Sequence, residues 1–508
     1  GRIYCFYNHN TDRVEEVRRE DDGVFTRVDS LGHYVFKYSD DHGRKWSEQR
    51  YDVPVREFEC DRTNVYGGDL RFFWNVGRPL IVGDAAFLVL HKVGAMGEGF
   101  FAQSEGAILR SDNILTEADP ERIRFETLPE GDVGLRAPAG GGRVAEEQSL
   151  TQLSDGSLFC VYRTVDGFPA CAYSRDGGRS WTPPEYLTHA PGGRRVKHPR
   201  AANFIWRLGN GRFLYWFHNH GGRPARERGD WNPYDDRNPV WLMAAREVPG
   251  PDGPLLEFTQ PEILLYDDDP RVRMSYPDLI EEDGRLFATE TQKATARVHE
   301  VPQEIISGLL GQWDRAEIAH EGLLLELTGD MPETVPMPKL PHFTARDGTR
   351  SDFGTKNLRA GFTLDLSMRL EDLASGQVIL DSRDTTGQGI ALVISERGTV
   401  ELLMRDRWSE CRWDTDAGAV TAGDAVNLTA IVDGGPAIIS FVVNGILCDG
   451  GDYRQFGWGR FSPHFYDVTG GPQLRIAPAL HGAVTALRIY DRALRVSDAV
   501  GNWRAGAT

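Results

Sequence analysis

The chain has 508 residues, a formal net charge of -18, 40% hydrophobic and 10% aromatic residues, 56 glycines and 12 tryptophans. This length exceeds one ordinary core and predicts two domains, while the acidic balance excludes a partner that needs a broad basic surface, nucleic acid above all. The most apolar run, 437–447, is too short for a membrane span and is broken by Ser440, Asn444 and Gly445.

In chain order, one pattern returns through about the first three hundred residues: an apolar strand, a Gly-containing turn, and a second strand rich in aromatic and β-branched residues. Residues 3–8, after Gly1-Arg2, read as the second strand of such a hairpin with its first strand missing. Full copies follow at 78–82 and 86–92 around Gly83-Asp84, at 148–153 and 158–164 around Asp155-Gly156, at 203–208 and 213–220 around Asn210-Gly211, and at 276–281 and 286–293 around Asp283-Gly284. Asp-Gly and Asn-Gly serve as hairpin turns because they accept the positive φ that a two-residue turn requires. Recurrence at roughly 50 to 80 residues in units of this kind predicts a β-propeller. Residues 301–313 space Ile305, Ile306, Leu309 and Leu310 as a short helix. Pro336, Pro338 and Pro341 mark 313–342 as a linker. From about Phe343 the alternation in 361–370, 377–381, 389–394, 400–404, 425–432, 438–443 and 483–490 predicts a β-sandwich.

Two stretches share the spacing Ser-x-Asp-x-Gly-x-x-Trp: Ser39, Asp41, Gly43 and Trp46, then Ser174, Asp176, Gly178 and Trp181. In a tight turn the Ser and Asp side chains bond backbone amides, the Gly takes a positive φ, and the Trp folds back over the turn. This is the Asp-box, and on it the chain resembles the bacterial sialidase (neuraminidase) superfamily. The resemblance implies an all-β protein with a six-bladed sialidase-like β-propeller over 1–312. The ending Leu487 to Leu494 resembles the closing strand of laminin-G or concanavalin-like jelly rolls, which implies a β-sandwich jelly roll over 343–508 that binds carbohydrate or braces its neighbour. Asp-boxes staple the outer turns of blades, so they speak for fold rather than for chemistry.

In such a fold the start of each first strand and the end of each second strand lie at one face, around the axis. The starts supply Arg78, Glu146, Glu147, His198, Arg200, Tyr276 and Asp278; the ends supply Asn8, His9, His91, Lys92, Arg163, His218, His220, Glu290 and Lys293. A face this polar suits a ligand better than packing, and its guanidinium groups suit a carboxylate, which they bind bidentately. The expected partner is a glycan carrying an anionic sugar, a sialic-type keto acid or a uronate.

The sialidase resemblance implies a Tyr nucleophile activated by a Glu, an Asp acid/base and three arginines on the substrate carboxylate. Carried over residue by residue, it makes Tyr276 the nucleophile, Glu147 or Glu146 its activator, Asp69 the acid, and Arg78, Arg163 and Arg200 the carboxylate ligands. Substrate contacts are expected from His9, Lys92, His198, Asp278 and Glu290, and a catalytic part from His218. A phenol of pKa about 10 needs a carboxylate beside it to act as a nucleophile at neutral pH. The family's opening Arg-Ile-Pro is absent from this sequence.

The histidines His9, His198, His218 and His220 exceed what a sialidase needs and sustain a second reading, a propeller-fold lyase of uronate-containing glycans. There, Arg or Lys would neutralise the carboxylate and His or Tyr would remove the adjacent proton. A third reading is a glycan-binding protein without catalysis. His218 and His220 share one side of a strand but have no third ligand in the sequence, so no metal site is assigned. No cofactor is required, and a structural calcium in the jelly roll stays open. Cys160 with Cys171, and Cys411 with Cys448, are candidate bridges or buried thiols. The chain opens at Gly1 rather than Met, which reads as a processed or truncated start, and a secreted or periplasmic bacterial protein is the expectation.

Overall fold

The structure, a computed structural model, describes residues 1–26, 30–98, 100–222, 236–291, 295–352 and 354–506. Among these residues it is all-β, with few and short helices. Up to Glu300, five larger antiparallel sheets follow one another among the described residues, where six blades were expected. The first is Ile3–His9, His33–Ser39 and Tyr51–Asp52, with Ile3–His9 on its edge. The second contains Leu80–Val82, Ala85–Met96, Phe101–Ser111 and Glu126–Leu128; the third Glu146–Gln152, Leu158–Arg163, Ala170–Ser174 and Glu185–Tyr186. The fourth contains Phe204–Arg207, Phe213–Phe217, Val240–Val248 and Leu255–Phe258; the fifth Ser275–Glu282, Arg285–Thr291 and Ala296–Glu300.

Neighbouring sheets pack face to face. Leu158–Arg163 is buried along its whole length, because successive side chains point to opposite faces and both faces are covered. Leu158, Cys160 and Tyr162 meet Ala85, Phe87 and Ile108 of the second sheet, whereas Phe159 and Val161 meet Phe213, Tyr215 and Phe217 of the fourth. Each fully buried Leu, Ile, Val or Phe among them contributes about 1.5–3 kcal/mol. The same alternation keeps Cys160 and Cys171 apart: Cys160 lies opposite Ala172 and Cys171 opposite Val161, so the two thiols face different cores and stay free. Cys411 and Cys448 are also free, although they adjoin one core.

Both Asp-boxes close as turns. Ser174 Oγ accepts the Gly178 N–H at 2.8 Å and donates to Asp176 at 2.9 Å, Asp176 accepts the Ser180 N–H at 2.9 Å, and Gly178 has φ +90°. Trp181 Nε1 donates back to the Gly178 carbonyl at 3.1 Å. In the first copy Ser39 accepts the Gly43 N–H at 2.9 Å and Asp41 the Lys45 N–H at 2.7 Å.

The expected helix forms at Gln303–Gly311. Beyond it, a seven-stranded and a six-stranded antiparallel sheet share one core, with Leu364 and Leu366 of the first against Leu392 and Leu402 of the second. Part of the expected linker belongs to them: Leu323–Thr328 pairs with Gly482–Tyr490, and Thr334–Pro336 with Gln473–Ala479. Pro336 ends its short strand, and Pro338 and Pro341 follow it. The C-terminal unit is also joined to the first. Ile431, Ile438, Val442 and Trp458 enter the core between the third and fourth sheets, and Glu262 accepts the Val496 and Ser497 N–H groups at 3.0 and 2.6 Å, at the start of the helix Val496–Gly506.

Candidate active site

The first strands of the second, third and fourth sheets lie side by side and line a cavity of about 180 Å³ with Arg78, Gln148, Thr151 and Arg207 among its walls. Arg78 reaches the fifth sheet, donating to the Leu279 carbonyl at 3.0 Å and to Asp278 at 3.4 Å. Two first strands carry the same irregularity at their starts. In the third sheet the register slips between Glu146 and Ser149, and Glu147 takes φ +55°. In the fifth it slips between Ser275 and Asp278, and Tyr276 takes φ +48°. A bulge re-aims a side chain out of the alternation. A non-glycine residue in this left-handed region costs about 1–3 kcal/mol and persists where its surroundings hold it.

The surroundings here are charged. Glu146, wholly buried, accepts Arg163 Nε at 2.8 Å and Arg200 Nη2 at 2.5 Å. Arg163 Nη1 lies 2.8 Å from Glu147 Oε2 as an ion pair, yet neither oxygen of that buried carboxylate accepts a well-directed hydrogen bond. A third guanidinium, Arg237, donates to Ser275 Oγ at 2.7 Å and lies close enough to the Tyr276 phenol to favour its anion. Glu147, Arg163 and Arg237 thus act on one half-buried tyrosine, and Glu146 ties Arg163 to Arg200.

Each group responds in its own direction. Burial pushes the Glu146 carboxyl up, but Arg163 and Arg200 outweigh it and hold the group at about 2. Burial pushes the Glu147 carboxyl up, with Arg163 opposing and Glu146 adding to the rise. The Glu147 charge, then burial, raises the Tyr276 phenol, while Arg163 and Arg237 favour its anion. A carboxylate made more basic beside a phenol flanked by two guanidinium groups is an arrangement that can take the phenolic proton and stabilise what remains.

The histidines divide by their hydrogen bonds. His91 Nδ1 accepts the Glu147 N–H at 3.2 Å, which places the proton on Nε2, a buried donor without a partner; burial holds this ring at about 3 and therefore neutral. His198 is used on both sides, donating from Nε2 to Ala201 at 2.8 Å and accepting the His218 N–H at 3.1 Å. His218 donates from Nδ1 to the Pro239 carbonyl at 3.4 Å, which leaves Nε2 a buried acceptor without a partner. Among the described residues no group of three or more His, Cys, Asp or Glu side chains could hold a metal ion.

Of the residues expected at the site, Tyr276, Glu147, Arg163 and Arg200 come together, with His91 and Glu146. Lys92 does not: it points the opposite way from His91 along its strand, fully buried, ion-paired to Asp61 and bonded to the Arg56 carbonyl at 2.7 Å. Glu290 lies 3.5 Å from Arg297 and 3.6 Å from His299 on the neighbouring strand; Lys293 lies outside the described residues. His9 bonds Thr11 at 2.9 Å at the end of its strand, opposite His33. Asp69 stands exposed in the turn after Tyr66, and no described hydrogen bond or ion pair ties its carboxylate to the cluster. Arg78 and Asp278 bond each other at the cavity instead of joining the other arginines.

Arg237 is the arginine that the sequence reading missed. It precedes the third strand of its sheet, Val240–Val248. In an antiparallel meander first and third strands run the same way, so third-strand starts belong to the same face as first-strand starts. Asp236-Arg237-Asn238, just ahead of that third strand, is the signal the sequence carries for it.

No protein-family model matches the chain, and no curated protein matches it. Several solved structures are similar. A Trypanosoma rangeli sialidase in complex with the inhibitor DANA is 11% identical over 94% of this chain and 90% of that one, with a TM-score of 0.31. A leech intramolecular trans-sialidase complexed with 2,7-anhydro-Neu5Ac is 15% identical over 55% of this chain and 37% of its own, at 0.34. A protein of unknown function from Dyadobacter fermentans is 14% identical over 57% and 68%, at 0.36. With likeness at this level, the functional reading rests on the residues of the site.

Proposed function

We propose that this chain is a glycosidase that releases a terminal anionic sugar from a glycan with retention, through Tyr276. Its five sheets up to Glu300 would form a sialidase-like propeller and its two C-terminal sheets a jelly roll, acting on glycans outside the cell. The observation that carries the reading is the pair of matching bulges that turn Glu147 and Tyr276, both at positive φ, into one cluster with Arg163 and Arg237. Glu147 takes the phenolic proton, the phenolate attacks the anomeric carbon, and the bond to the aglycone breaks, its oxygen taking a proton from solvent water. Water then releases the sugar from the tyrosine. Within the cluster three guanidinium groups face two carboxylates, and the excess positive charge suits one substrate carboxylate. A neutral phenol meets this anion with less repulsion than a carboxylate nucleophile would, and tyrosine is a known exception to the two-carboxylate rule of glycosidases.

The test is turnover of α-sialosides and uronate-containing oligosaccharides by the chain and its Tyr276→Phe variant, following released sugar and the ultraviolet absorbance of an unsaturated uronate. Release without absorbance, reduced on the order of a thousand-fold or more in the variant, is expected. A rise in absorbance would mean elimination and replace the hydrolase with the lyase. Binding without turnover by either protein would leave a glycan-binding module.

A further inference from the structure

Arg237 is held in place from the other half of the molecule. It lies on the connection between Phe213–Phe217 and Val240–Val248, and both described ends of that connection meet one segment of the C-terminal unit. On the near side, Trp458 Nε1 donates to the Asn219 carbonyl at 3.0 Å, the Gln455 amide lies 3.2 Å from His220 Nδ1, and the Gly221 N–H donates to the Gln455 carbonyl at 3.1 Å. On the far side, Arg460 Nη2 donates to the Asn238 carbonyl at 2.6 Å and Nη1 to Pro436 at 3.0 Å. His220 joins the two: its Nε2 donates to the Asp236 carbonyl at 2.7 Å. That bond and the Gln455 contact fix its tautomer, and burial keeps the ring neutral, at about 4. The residues before and after Arg237 are thus each bonded by donors that the C-terminal unit supplies or orients. Gln455 and Trp458 are buried, so these bonds form where water competes least.

We propose that the C-terminal unit is a working part of the Tyr276 site, with Gln455 and Arg460 as positioning residues that set Arg237 against Tyr276 and the substrate carboxylate. The inference rests on the reading of that site given above. Its physical basis is that a guanidinium fork binds a carboxylate in a narrow range of orientations, and a displacement of about 1 Å at such a group costs about a hundred-fold. The competing explanation is that these bonds only join two halves of a protein. The same interface supplies the control: Arg194 donates to the Leu447 carbonyl at 2.9 Å and pairs with Asp449 at 3.0 Å, without touching either neighbour of Arg237.

The experiment uses the full chain with Gln455→Leu, Arg460→Ala, Arg460→Lys, Arg237→Gln and Arg194→Ala. Two quantities are measured on each. One is calorimetric affinity for N-acetylneuraminate and glucuronate against glucose. The other is the Tyr276 phenol titration, taken as the absorbance difference from the same variant carrying Tyr276→Phe. Because Arg237 favours the phenolate, losing its position moves that titration to higher pH. Gln455→Leu and Arg460→Ala are expected to follow Arg237→Gln in this shift and to weaken acid-sugar binding about ten-fold or more, while Arg194→Ala changes neither. Arg460→Lys, which keeps the charge but has one nitrogen for two carbonyls, is expected between them and replaces Arg460→Ala if that variant does not fold. Folded Gln455 and Arg460 variants that titrate like the parent, beside a shifted Arg237→Gln, would overturn the proposal. So would an equal shift in Arg194→Ala. If the parent binds neither acid sugar, the glycosidase reading fails, and the phenol titration still decides the positioning role.

Discussion

Replacing Glu146 by glutamine tests the charged cluster at its centre. The carboxylate is fully buried and bonded by Arg163 and Arg200, so Glu146→Gln keeps the shape and removes the charge between two guanidinium groups. The carboxyl sits at about 2 against an ordinary 4.5. That gap of about 2.5, at 1.36 kcal/mol for each pK unit, corresponds to about 3 kcal/mol. Breaking a buried ion pair by removing one partner costs about 3–5 kcal/mol on general grounds, and the two figures agree. The sign follows from linkage. A carboxyl depressed in the folded state contributes its full stabilisation above the unfolded value, 4.5, and loses it as pH falls through about 2. Urea unfolding of the parent and the variant, followed by tryptophan fluorescence across pH, should therefore show a gap of about 3 kcal/mol at neutral pH that closes on acidification below 4.5. A gap under about 1 kcal/mol at neutral pH, or one that persists in acid, would refute the assignment of Glu146 as the counter-ion of both arginines.

Three other outcomes follow from the same contacts. Lys92→Met should destabilise the fold by about 3–5 kcal/mol, because Asp61 is left charged and buried, yet leave turnover per folded molecule unchanged; a selective loss of turnover would restore Lys92 to the substrate face. Glu147→Gln removes the charge that most raises the Tyr276 phenol, so the phenol should titrate at lower pH while turnover falls. A titration that stays put or rises would separate the two residues. Asp176→Ala deletes the acceptor of Ser174 and Ser180 in the second Asp-box and should cost about 1–2 kcal/mol in thermal or urea unfolding without affecting the site; a loss of activity in the folded variant would contradict its place on an outer turn.

Much of this molecule is local and therefore legible in the sequence. The Asp-boxes, the Gly-containing hairpins, the helix 303–311 and most C-terminal strands follow from turn chemistry and period-two alternation, each confined to a few consecutive residues. The acidic and basic residues at first-strand starts were likewise legible, because strand direction alone sends them to one face. Leu323–Thr328 and Thr334–Pro336 were not, since their pairing partners lie at Gly482–Tyr490 and Gln473–Ala479, and the three prolines nearby read locally as a linker.

The sequence by itself determined an all-β chain, its turns, and a polar face containing Tyr276, Glu147, Arg163 and Arg200. Only the tertiary structure decided which of those residues meet. Two bulges bring Glu147 and Tyr276 into one cluster. Lys92 turns away to Asp61, and Arg237 replaces Arg78 beside the phenol, on a connection bonded by Gln455 and Arg460 more than two hundred residues further along. The physical reason is that alternation fixes the side of a strand from which a residue points. The partner it finds there depends on bulges, ion pairs and packing between segments remote in sequence.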